Sequence, residues 1–135
     1  MSLESLIREL DLAGYVYMPG FVANPFKYMK HATVFVLCSR YEGLPSALIQ
    51  AMRCGCAVVS TDCHSGPTEI LDRGRFGSLV PVGDAEALAG AIIRGIGQPT
   101  DRRALVARAN MFGSERALMG YRALLRPKSE VMSRQ

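Results

Sequence analysis

The chain has 135 residues, 49% of them hydrophobic and 21% charged, with a formal net charge of +4. That is enough for one domain with a real core, and no apolar run approaches the roughly 20 residues that span a bilayer. Nucleic acid is disfavoured as a partner, because no aromatic residues interleave with the basic ones and no binding motif is present.

Leu3, Leu6, Ile7 and Leu10 recur at helical spacing, so Ser2 to Leu10 reads as a helix that stops near Gly14. Its charges, Glu4, Arg8, Glu9 and Asp11, interrupt the apolar positions, which is unlike a signal peptide and makes cytosolic residence the expectation. Tyr15 to Met18 is expected as a short strand, broken by Pro19-Gly20. Pro25 opens a short helix to about Lys30, with Asn24 as its cap. Thr33 to Leu37 is apolar and β-branched throughout, which suits a strand covered on both faces.

Ser39 to Leu44 is then a loop, and the helix from Pro45 to Arg53 is closed by Gly55. Ala57 to Thr61 is a second buried strand, Asp62 to Gly66 a second loop, and Pro67 to Leu71 a short helix. Gly77 to Val80 is a last strand. Asp84 caps a helix whose stripe is Ala85, Leu88, Ala89, Ile92, Ile93 and Ile96. Two amphipathic helices follow, Asp101 to Met111 and Ser114 to Arg126. Ser114 is the expected cap of the second, with Leu118, Tyr121, Leu124 and Leu125 inward. Pro127 ends it, and residues 127–135 read as a disordered tail. The late basic residues, Arg102 to Lys128, suit either a solvated helical face or contact with an anionic substrate or lipid surface.

Strands alternating with helices predict a parallel sheet in an α/β fold. Ligands bind such sheets beyond the carboxyl ends of the strands. Both conspicuous loops, Ser39–Leu44 and Asp62–Gly66, fall there. A helix N-terminus offers unpaired N–H groups and partial positive charge to a phosphate. Gly43 lets a ligand approach the backbone, and Pro45 at the first helical position removes no needed donor. Glu42 suits a neutral, hydroxyl-rich neighbour better than bare phosphate. Gln50, six residues beyond Leu44, lies about 9 Å further along the helix. Sugar, diphosphate and ribose would fit these groups in sequence. The plainer alternative is a strand-to-helix turn with Glu42 solvated, Asp62 orienting its loop and His64 merely exposed.

The cysteines Cys38, Cys54, Cys56 and Cys63 lack the common zinc spacing, and no metal site is assigned.

Ser39-Arg40-Tyr41-Glu42-Gly43-Leu44-Pro45, Gln50-Ala51-Met52, Gly55, Val58 to Asp62 and Ser65 to Leu71 together resemble the carboxyl-terminal domain of retaining glycosyltransferases of family 4. Val16 to Phe21 resembles that family's strand ending in Gly-Phe, and Gly77 to Asp84 its Gly-Leu-Leu-Val-Pro-x-Gly-Asp segment. The resemblance covers about residues 3 to 125. It implies a GT-B fold: a Rossmann-like parallel sheet flanked by helices, here a partial donor-binding domain over residues 1–126 with extra carboxyl-terminal helices. It also implies transfer of a hexose or N-acetylhexosamine, with retention, from a nucleotide-sugar to a polysaccharide or lipid-linked acceptor. The expected donor is a UDP-sugar, used as substrate, with no cofactor and no metal.

Glu42 matches the family's first motif glutamate, the catalytic position that contacts the donor sugar. Gly43 and Leu44, flanked by Tyr41 and Pro45, match the backbone that meets sugar and diphosphate. Gly20 and Phe21 match a loop near the base. The family's second glutamate, on the ribose, falls on Gln50, which bonds a hydroxyl more weakly as a neutral acceptor. The chain has no room for the family's acceptor-binding domain or for the first strands of the donor domain. It is therefore expected to be inactive alone and to need that amino-terminal domain or a partner chain. Residence is expected in the cytoplasm, with peripheral contact at the inner face of the membrane. A competing reading is an inactive α/β remnant that serves only as an interaction module.

Overall fold

A computed structural model describes residues 2–125; the expected tail at 127–135 lies outside the described residues. Three parallel strands, β1 (Val34–Leu37), β2 (Ala57–Thr61) and β3 (Ser78–Val80), form one sheet in the order β1-β2-β3. Val34 pairs with Ala57 and Leu37 with Ser60, so the carboxyl ends of β1 and β2 lie level. Seven helices accompany them among the described residues: α1 (Leu3–Glu9), α2 (Phe26–His31), α3 (Ser46–Arg53), α4 (Pro67–Ile70), α5 (Ala85–Gly97), α6 (Arg102–Asn110) and α7 (Ser114–Leu124). This is the expected α/β architecture.

Period-two alternation along β2 explains the layers. Val58 joins a core with Leu48, Ala51 and Met52 of α3, Ile70 of α4, and Leu105 and Ala109 of α6. Its neighbour Val59 points to the other face, where Val80 and Ala91 of α5 meet it. Leu48 and Met52 are fully buried, each contributing about 1.5–3 kcal/mol by removal from water. A Schellman turn ends α3: Gly55 N–H donates to Met52 and Cys56 N–H to Ala51, with Gly55 at φ +72°.

Several expectations need correction. Tyr15 to Met18 forms no strand, because among the described residues none supplies it with ladder hydrogen bonds; Tyr15 and Tyr17 stand exposed. The left-handed residue after α1 is Asp11, at φ +53°, and not Gly14. On α5 the sheet covers Ala87, Leu88 and Ala91, while Ala85, Ala89, Ile93 and Ile96 face outward. Gly113 precedes α7 as its cap and Ser114 is already helical, with no side-chain cap. Leu118, Tyr121, Leu124 and Leu125 are exposed, since no described element packs over that face. Asp84 caps α5 as expected, accepting from Ala87 N–H at 2.8 Å, and Asp101, expected as the first residue of its helix, is the cap of α6, accepting from Ala104 N–H at 3.0 Å. Asn24 accepts from Phe26 N–H at 3.1 Å at the start of α2.

Candidate functional site

The two loops leaving β1 and β2 are joined to each other. Thr61, at the end of β2, donates its hydroxyl to Ser39 O at 2.6 Å. Ser65 donates its hydroxyl to Glu42 O at 3.2 Å. Gly66 packs so closely that a Cβ there would lie 2.1 Å from Gly43 O and 2.7 Å from Pro45 Cδ. Gly66 also has φ +81°, where a side chain is strained. Asp62, next to this junction, accepts a hydrogen bond from the Thr68 hydroxyl. The second loop therefore serves as a floor for the first.

On that floor the chain presents Glu42. Its carboxylate is half-buried and accepts the Ser39 hydroxyl at Oε1, 2.6 Å away. One oxygen is thus engaged, and the remaining acceptor capacity is available to a ligand. Gly43 and Leu44 follow, both exposed, and open space surrounds the position of a Gly43 Cβ. Pro45 is buried and occupies the N-cap of α3, one place earlier than expected. No side chain caps α3, so its first amides keep the open donors of a helix N-terminus. Gln50 lies half-buried within α3.

The structure thus gathers Glu42, Gly43, Leu44 and Pro45 in one loop with Tyr41, which is 85% exposed. It does not knit Gly20 and Phe21 to them. Phe21 is 95% exposed, Gly20 sits at φ +69°, and among the described residues no hydrogen bond joins residues 17–23 to the Glu42 loop. Sequence reasoning missed the residues that tie the loops, Ser39, Thr61, Ser65 and Gly66. The signal for them was the adjacency of two strand ends, which needs the sheet order.

A cleft of about 440 Å³ adjoins the junction, lined by Ser65, Gly66, Thr68, Glu69, Arg73 and Arg108 among others. A second, of about 460 Å³, lies at the opposite end of the sheet around Ala57, Ser78, Gln98 and Thr100 and holds none of the expected site residues. Among the described residues no three metal-ligating side chains gather. Cys56 is buried and donates its thiol to Ala32 O at 3.4 Å, and burial pushes that thiol's pKa up.

This arrangement of sheet and helices recurs in a solved structure. Sucrose-phosphate synthase of Thermosynechococcus elongatus superposes with a TM-score of 0.78 at 31% identity, over 90% of this chain and 33% of that one. The fold is therefore a partial α/β domain of the GT-B glycosyltransferase type. Residues 1–98 match the family described as Glycosyl transferases group 1, and the chain belongs to it. It is 48% identical over 69 residues to an uncharacterized glycosyltransferase of Methanocaldococcus jannaschii, covering 51% of this chain and 17% of that one. It is 41% identical over 86 residues to the N-acetylgalactosamine-N,N'-diacetylbacillosaminyl-diphospho-undecaprenol 4-alpha-N-acetylgalactosaminyltransferase of Campylobacter jejuni. There it covers 64% of this chain and 24% of the relative, so the chain spans a quarter or less of the length of these relatives. No helix among the described residues is long and apolar enough to cross a membrane.

Proposed function

We propose that residues 1–126 are the donor-binding part of a retaining glycosyltransferase. It moves a hexose or N-acetylhexosamine from a UDP-sugar to a polysaccharide or lipid-linked acceptor. The observation that carries this reading is Glu42, held by Ser39 at the carboxyl end of β1, beside the uncapped N-terminus of α3. Glu42 accepts hydroxyls of the donor sugar. The Gly43 and Leu44 backbone and the first amides of α3 face the diphosphate. Tyr41 and Pro45 flank that backbone, Gln50 bonds the ribose, and Gly20 and Phe21 lie near the base.

In transfer, the bond from the anomeric carbon to the diphosphate oxygen breaks, and a bond to the acceptor oxygen forms. The electron pair of the broken bond stays on the departing diphosphate oxygen, and the proton of the acceptor hydroxyl passes to that oxygen or to solvent. A helix N-terminus stabilises the charge on the diphosphate with donors already in place. The acceptor is bound by the part of the enzyme beyond this chain, an amino-terminal domain or partner chain. The diphospho-undecaprenol in the name of the Campylobacter relative supports work at a membrane surface, and we place the enzyme in the cytoplasm at the inner face of that membrane.

Calorimetry with UDP and UDP-hexoses tests the reading. Weak binding by this chain is expected, lost in Glu42→Ala and Gln50→Ala, with no sugar transfer by the chain alone. Absence of binding even when the missing half is supplied would leave the interaction-module reading in its place.

A further inference from the structure

We propose that Arg108 is a positioning residue for the Glu42–Leu44 loop and acts through α4. The proposal rests on the donor-site reading of that loop. Arg108 belongs to α6, far in sequence from both loops, yet its guanidinium reaches the carboxyl end of α4. Its Nε donates to Ile70 O at 2.9 Å, and Nη2 donates to Glu69 O. Those carbonyls lie at the end of the helix, where intrahelical donors run out and a cation is favourable. The guanidinium carbon also lies over two aromatic rings, 5.6 Å from the Phe76 centroid and 5.1 Å from that of Phe112.

What Arg108 holds is short and stiff. α4 is a single turn, and its first carbonyl contact, Gly66 O with Ile70 N–H at 2.9 Å, links its two ends. Gly66 is the residue pressed against Gly43 O, and Ser65 beside it bonds Glu42 O. A displacement of the carboxyl end of α4 therefore reaches the Glu42 loop within one helical turn. Lysine cannot reproduce the clamp, because it has no planar fork to reach two carbonyls from one fixed orientation.

The test compares Arg108→Lys with Arg53→Ala in the full chain. Arg53 Nε holds the same α6 by Asn110 Oδ1 at 3.2 Å, and among the described residues it makes no hydrogen bond to α4, so it reports general loosening. Backbone amide resonances of Glu42, Gly43, Ser65 and Gly66 should move in Arg108→Lys and stay in place in Arg53→Ala. Phe112→Leu, which keeps the arginine and removes one of the two rings beneath it, should move the same amides less. Where UDP binds the wild type, Arg108→Lys should weaken it about tenfold at temperatures well below unfolding. Unmoved amides in Arg108→Lys, or equal movement in Arg53→Ala, overturn the proposal. If the wild type does not bind UDP, the donor reading fails, and the amide comparison still decides the positioning role.

Discussion

Ser39 donates its hydroxyl to Glu42 Oε1 at 2.6 Å, while the carbonyl of the same serine accepts from Thr61 at 2.6 Å. One residue thereby ties the carboxylate to the end of the neighbouring strand. The carboxylate's direction is set by β2 as much as by its own loop.

Removing the hydroxyl alone should separate the sugar from the diphosphate. Ser39→Ala leaves Glu42 without an oriented hydrogen bond to a charged acceptor, a contact worth about 1.5–3 kcal/mol. On the proposed donor-site reading, affinity for a UDP-sugar should fall about tenfold or more. Affinity for UDP, which lacks the sugar, should hardly change. Titration calorimetry with both ligands reads the difference, and equal losses for the two would count against Glu42 facing the sugar.

Two glycines in the site should behave in opposite ways. Gly66→Ala sets a Cβ 2.1 Å from Gly43 O at φ +81°, and the obstacle is backbone. A loss of about 3 kcal/mol is expected, lowering the melting temperature on the order of 10 °C. Gly43→Ala meets nothing within 4 Å. It should cost under about 0.5 kcal/mol of stability while obstructing the ligand's approach to the backbone. Thermal melts beside UDP titrations distinguish the two, and a Gly43→Ala variant that binds UDP normally would argue against close approach there.

β2 was legible as a core strand because a continuous apolar, β-branched run suits burial on both faces, whereas β1 has the same kind of run yet is only half-buried at all four positions, being the edge strand of the sheet. The carboxyl-end loops followed from strand–helix alternation. Tyr15 to Met18 has the same kind of local pattern, but a strand exists only with a partner, and the described residues provide none. The apolar stripe of α7 was equally readable as a stripe. Which surface covers it depends on elements that no periodicity within this chain can supply. Arg108 looked like one more basic residue on a solvated face. Its role depends on Phe76, Phe112 and the end of α4 meeting in space.

That exposed stripe has a measurable consequence. Leu118, Tyr121, Leu124 and Leu125 are all exposed, and clustered exposed apolar side chains of this kind favour association. The chain on its own should self-associate in sedimentation experiments at micromolar concentration. Leu118→Ser with Leu124→Ser should reduce association while changing stability by less than about 0.5 kcal/mol per site. Unchanged association would assign the contact to another face, such as Ile93 and Ile96 of α5.

Cys56 offers a test of the core by pH. Burial is the main cause that raises its thiol pKa above the ordinary 9.0, and proximity to Cys54 adds to the rise. A raised folded-state value means that the neutral thiol is favoured by the fold. The associated stability is fully present below the ordinary thiol pKa and is lost as pH climbs through the folded-state value. Urea unfolding at pH 8 and pH 10 should therefore show a lower midpoint at the higher pH. Cys56→Ala should show a smaller decline, because other titrating groups remain and this one is gone. Thiol labelling in the native state gives an independent check, since Cys38 is exposed whereas Cys56 and Cys63 are buried. Cys38 should react first by a wide margin. Labelling of Cys56 at the rate of Cys38 would mean that β2 and α2 do not enclose it as the Ala32 hydrogen bond requires.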